Sequence, residues 1–284
     1  MSNNRKITII AILILGALAL FWSLNSASSP ILVSNVKAVK MNENMYSVYL
    51  NMSNAGDPDF ITEIKASDQN NAFVMGAHPT YGIAIPKGSS PSFSSDGAHI
   101  MVNIDKTSYQ PGEFIPLTIA FENSKPQQIK AIVEDPNANK MNMEDDATEM
   151  DHSQMNHSQM DHSQMDHSMH QPGAVIEVGS GQNPPEIEMT VAQNDDDTWS
   201  VRITTRNFEF FEPKTEPLAH QDGQGHGHLY LNGLKLPRMY SNQAIIGELP
   251  DGKHVISVTL NSNDHKAFTV EGEPVSASAE IIAD

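Results

Sequence analysis

Leu229-Tyr230-Leu231-Asn232-Gly233-Leu234-Lys235-Leu236 decides the fold class. Apolar residues alternate on both sides of an Asn-Gly pair, which supplies the two positive-φ positions of a tight hairpin turn. Such a turn sets Leu231 opposite Leu234 and Leu229 opposite Leu236, four side chains for one buried face. The other face then carries His226 and His228. Continuing the same register places Met239 across from His226.

The pattern repeats outward from this hairpin. Ile187 to Val191, Trp199 to Thr205 and Val255 to Leu260 are short β-type runs, as are Tyr46 to Met52, Tyr81 to Ile85, Ala98 to Ile104 and Ile115 to Glu122. Turn residues separate them, for example Asn54-Ala55-Gly56-Asp57-Pro58 and Pro111-Gly112. Alternation of period two with turns at this spacing predicts antiparallel β-sandwiches, and the runs show no helical period. The expected class is all-β, with two small sandwich domains over 31–136 and 173–284, joined by a Met/His-rich linker over 137–172. A chain of 284 residues has room for two cores of ordinary size.

Lys plus Arg total 17 against 35 Asp plus Glu, a formal charge of -18. Nucleic acid is therefore disfavoured as a partner and a cation is favoured, although acidity also serves solubility. The chain has no Cys, which removes thiolate metal sites and cysteine nucleophiles and leaves Met and His as the donors for a soft metal. After Arg5 and Lys6, an uncharged apolar run from Ile7 to Leu24 predicts an export segment over 1–30. It suits a cleaved signal or a membrane anchor, and puts the rest of the chain on the periplasmic side of a bacterial inner membrane.

The linker reads Met150-Asp151-His152-Ser153-Gln154, Met155-Asn156-His157-Ser158-Gln159, Met160-Asp161-His162-Ser163-Gln164, Met165-Asp166-His167-Ser168, Met169-His170. Each unit offers a thioether and, two residues later, an imidazole. Thioether sulfur selects Cu(I) or Ag(I), whereas imidazole serves Cu(II), Zn and Ni as well. A period of five lines no single helical face, so a partner helix is excluded and a flexible run of copper sites is expected. Similar Met-Asp-His-Ser repeats occur in bacterial copper-resistance proteins.

Within the first domain, His99 and Met101 sit two apart in an expected strand and so share a face. The stretches Tyr49 to Asp57, Ile85-Pro86-Lys87-Gly88, His99-Ile100-Met101 and Gly112 to Glu122 together resemble periplasmic copper chaperones of the PCu(A)C type. That resemblance implies a cupredoxin-like sandwich holding Cu(I) through His and Met, and copper delivery to cytochrome oxidase. His99 and Met101 match the family's closing His-x-Met. Its central Met would fall near Ala77, so Met75 and His78 are the expected replacements.

In the second domain His226, His228 and Met239 form a candidate copper site, with His220 or His265 as a further donor; an ordinary polar edge is the alternative. The expected function is a metallochaperone passing copper to an acceptor such as an oxidase subunit. A sequestering buffer without an acceptor is the other reading. Catalysis is not expected, because blue-copper, multicopper and Gly-x-Ser-x-Gly patterns are all missing from the sequence.

Overall fold

The structure is a computed structural model and describes residues 30–66, 71–104, 109–135, 175–179, 181–212 and 221–284. The export segment and the Met/His tract, Met150 to His170, lie outside the described residues, as does His220. Among the described residues no helix is long and apolar enough to cross a membrane, and the secondary structure is β throughout.

The N-terminal lobe contains β1 (Ile31–Lys40), β2 (Met45–Asn54), β3 (Asp59–Ala66), β4 (Asn71–Met75), β5 (Ile83–Ile85), β6 (Ser92–Phe93), β7 (His99–Asn103), β8 (Phe114–Phe121) and β9 (Gln127–Val133). One layer runs β1-β2-β7-β4 and the other β9-β8-β3-β5. A parallel contact of β1 with β9 joins them. Alternation drives the layering: in β2, Tyr46, Val48, Leu50 and Met52 all point inward and are at most 1% exposed. They meet Ile115, Leu117 and Ile119 from β8 across the core. Each such side chain contributes about 1.5 to 3 kcal/mol of burial.

The C-terminal lobe contains β10 (Val175–Glu177), β11 (Glu186–Gln193), β12 (Thr198–Arg206), β13 (Glu209–Phe210), β14 (Gln224–Leu231), β15 (Leu234–Lys235), β16 (Gln243–Glu248), β17 (Gly252–Ser262), β18 (Ala267–Val270), β19 (Glu273–Pro274) and β20 (Ser276–Ala283). The sheet β14-β17-β20 covers the three-stranded sheet β11-β12-β16. Trp199, Val201 and Ile203 meet Leu229, Leu231, Ile256 and Val258 between the layers.

Residues 31–284 form one compact unit, so the two sandwiches are packed together. The short strand β6 is hydrogen-bonded to β2 on one side and, through Ser92 and Lys235, to β15 on the other. A single ladder thus passes from one lobe into the other. The Asn232-Gly233 turn is the hub of the contact. His78 N donates to Asn232 O at 2.8 Å and Ala98 N donates to Gly233 O at 2.8 Å. Gly233 has φ +87°, and a Cβ there would stand 2.0 Å from Gly76 O. Lys87 N donates to Glu248 O at 2.9 Å along the same seam.

Candidate metal centre

The hairpin register is as expected at its tip: Leu231 pairs with Leu234 and Leu236 N donates to Leu229 O. Farther out it differs. Met239 bridges to Gly227, one position from the expected His226. Pro237 has no N–H to continue the ladder, and the return strand takes up one extra residue there. Met239 consequently lies on the core face, 2% exposed among Leu229, Leu236 and Trp199. It is not a ligand companion of the histidines, which occupy the opposite face of β14.

That opposite face is where the titratable groups gather. His226 and His228 are 1% and 2% exposed and pair across β17 with Asn261 and Thr259. The turn between β17 and β18 then returns His265 over them; its φ of +65° and its N–H to Ser262 O bond (2.9 Å) hold it in place. His226 Nε2 stands 2.9 Å from His228 Nε2 and 3.4 Å from His265 Nδ1. A metal bonded at about 2.0 Å to tetrahedrally arranged nitrogens separates them by about 3.3 Å, so the three imidazoles already approximate one coordination shell. Among the described residues this is the one group of three or more His, Asp or Glu side chains so arranged.

Electrostatics suit the same use. Burial lowers the His226 imidazole to about 3, and the neighbouring His228 and the Arg238 guanidinium add to the effect. His228 is lowered by burial despite its hydrogen bond to Asp96. Burial, Arg238 and Lys235 lower His265 too. All three rings are therefore neutral near pH 7, the form that binds a metal.

The surrounding atoms fit such an ion. His228 Nδ1 lies 2.7 Å from Asp96 Oδ2, so the neutral ring donates there and turns the lone pair of Nε2 toward His226. His226 Nδ1 and, on the neighbouring turn, Asn263 Oδ1 are buried atoms with no hydrogen bond. Buried atoms of this kind are uncommon, and an ion or a water is one thing that accounts for them. A metal held at Nε2 would leave the His226 proton on Nδ1, where the Asn263 side chain, which interacts with this ring, could accept it.

The first lobe holds the other expected donors. Met75 pairs directly with His99 across β4 and β7, and Met101 follows two residues along the same face. His99 and Met101 are 8% and 5% exposed. His99 Nδ1 is 3.0 Å from Gly97 O, and its ring neighbours Tyr49 at 6.2 Å. His78 accepts from Thr80 N at 3.3 Å and is stacked 4.1 Å from Tyr81.

Sequence reasoning placed His226 and His228 together on the outward face and kept His265 as a further donor. It missed Asp96 and Asn263. Ser94-Ser95-Asp96-Gly97 reads as a turn and nothing more, because a turn signal is local and says nothing of what lies across the seam.

No family model matches the chain, and no curated protein does either. Solved structures do. The chain is similar to a copper-bound PCuAC domain from PmoF2, with 21% identity and a TM-score of 0.35 over 39% of this chain and 97% of that one. An apo PCuAC domain from PmoF1 gives 20% identity and a TM-score of 0.34 over 38% of this chain and 95% of that one. The CupB2 chaperone of Pseudomonas aeruginosa aligns with 88% of this chain and all of its own length, at 7% identity and a TM-score of 0.20.

Proposed function

We propose that this protein is a non-enzymatic copper carrier working on the outer side of the inner membrane. The observation that carries the reading is the meeting of His226, His228 and His265, three neutral imidazoles with ligand atoms within 4.8 Å of one another. Imidazole alone serves copper, zinc and nickel alike. Copper is singled out by the Met-x-His repeat from Met150 to His170, whose thioethers prefer the soft monovalent ion. The apolar run Ile7 to Leu24 supports export, and an uncleaved run would tether the protein to the membrane. Delivery proceeds by ligand exchange with an acceptor such as an oxidase subunit. The number of repeats favours sequestration as a second reading, in which the tract stores copper or silver and no acceptor is needed.

Copper titration of the full chain, of a variant lacking 144–171 and of the triple His226→Ala, His228→Ala, His265→Ala variant tests the reading. The expected result is that the triple variant loses one tight equivalent that the tract deletion keeps. Full tight stoichiometry in the triple variant would sink it.

A further inference from the structure

The strand β14 carries two buried imidazoles on its face away from Leu229 and Leu231, and one wall of their site belongs to the other lobe. The turn between β6 and β7 is closed by Ser94 N donating to Ala98 O at 2.9 Å and Gly97 N donating to Ser94 O at 3.2 Å. It is seated on the second lobe by the Ala98 N to Gly233 O bond. The fit is close, since a Cβ on Gly97 would lie 3.1 Å from both Gly233 O and the Tyr230 ring. This seating carries Asp96 over the histidine face.

Asp96 there accepts from His228 Nδ1 at 2.7 Å and from the Lys235 ammonium, with Tyr230 Oη at 3.4 Å. The Asp96 side chain is still 38% exposed; partial desolvation alone would raise its carboxyl, but the hydrogen bond from His228 and the Lys235 charge hold it well below the usual carboxylate range. Lys235 is itself 8% exposed, so its charge and that of Asp96 are committed to one another. Lys235 Nζ at 3.3 Å and Tyr230 Oη at 3.5 Å also face His228 Nδ1, but the carboxylate is the nearest group and favours a proton on that nitrogen. A histidine that donates at one nitrogen presents a more basic lone pair at the other.

We propose that Asp96, supplied by the N-terminal lobe, is the positioning residue of the three-imidazole site in the C-terminal lobe, fixing His228 with its proton on Nδ1 and Nε2 toward the metal. The site is thus assembled only where the two lobes meet. This inference rests on the metal-binding reading above, and the test separates the two.

Nitrogen-15 imidazole spectra of the full chain, with zinc as the probe ion, report the tautomer of each ring directly. In the unaltered protein without zinc, His228 is expected to be protonated on Nδ1; protonation on Nε2 would overturn the proposal whether or not any variant folds. Zinc is then expected to shift Nε2 of His226 and His228 and Nδ1 of His265. If zinc leaves all three rings unmoved, the metal-binding reading itself falls. In Asp96→Asn the zinc affinity should drop by about 10- to 100-fold with a mixed His228 tautomer, and Asp96→Glu should recover part of it. An Asp96→Asn variant that binds zinc within twofold of the parent with an unchanged tautomer overturns the proposal while leaving the metal site standing.

Discussion

At the scale of single residues, histidines of the same type are sorted by their surroundings. His254 is fully buried and spends both nitrogens on the fold: Nε2 donates to Pro250 O at 2.8 Å and Nδ1 accepts from Asn232 Nδ2 at 3.2 Å. Its ring is stacked 6.0 Å from Phe60 of the other lobe. His226, by contrast, has an unspent Nδ1 and two imidazoles facing its Nε2. Burial lowers the His254 imidazole below its ordinary value of 6.5, against the effect of the Pro250 carbonyl. Above that pH the ring is neutral both folded and unfolded, and stability is undiminished. As pH falls through 6.5 the unfolded chain gains a proton that the folded one refuses, so stability is lost at up to about 1.4 kcal/mol per pH unit for this group. Urea unfolding of metal-free protein as pH falls below 6.5 should show His254→Gln with a shallower slope, by up to one proton; equal slopes would show that the ring is not held neutral.

At the scale of elements, the hairpin from β14 to β15 was readable because alternation and Asn-Gly are both local signals. Asn232 and Gly233 do adopt φ of +50° and +87°. What the sequence did not disclose is that this turn is buried against the other lobe. The distinction is measurable with two alanine substitutions. Gly88→Ala meets nothing within 4 Å at φ +68°, so only the strained φ is at stake, about 1 kcal/mol. Gly233→Ala adds a backbone collision with Gly76 O and should cost more, about 2 to 4 kcal/mol by urea unfolding. Equal costs would mean that the turn is not tightly seated. The displacement of Met239 belongs to the same scale: Pro237 was visible, but whether a chain bulges at a proline or ends its strand depends on packing that only the folded lobe reveals.

For the whole molecule, all-β architecture followed from periodicity, whereas the joining of the lobes did not. Leu234 belongs by sequence to the second lobe, yet it is fully buried in the core of the first. Ala84 makes the reverse exchange, entering the core built on Trp199 and Leu229. Cores that trade residues should melt together. Calorimetry of 31–284 is expected to give one transition with equal calorimetric and van't Hoff enthalpies, and residues 31–136 and 173–284 produced separately should each melt lower. Two independent transitions at the temperatures of the separate pieces would contradict this.

The uneven depth of the three imidazoles has a consequence for time rather than for strength. His226 and His228 are sunk in the sheet, while His265 stands at the rim on the Ser262 to Lys266 turn. In the proposed carrier, an incoming donor would meet His265 first, because it is the exposed member of the three. For such a carrier the Ser262 to Lys266 turn would bear on how long cargo stays, and the buried pair with Asp96 on how tightly it is held. A carrier built on this plan would keep residence and grip under separate control.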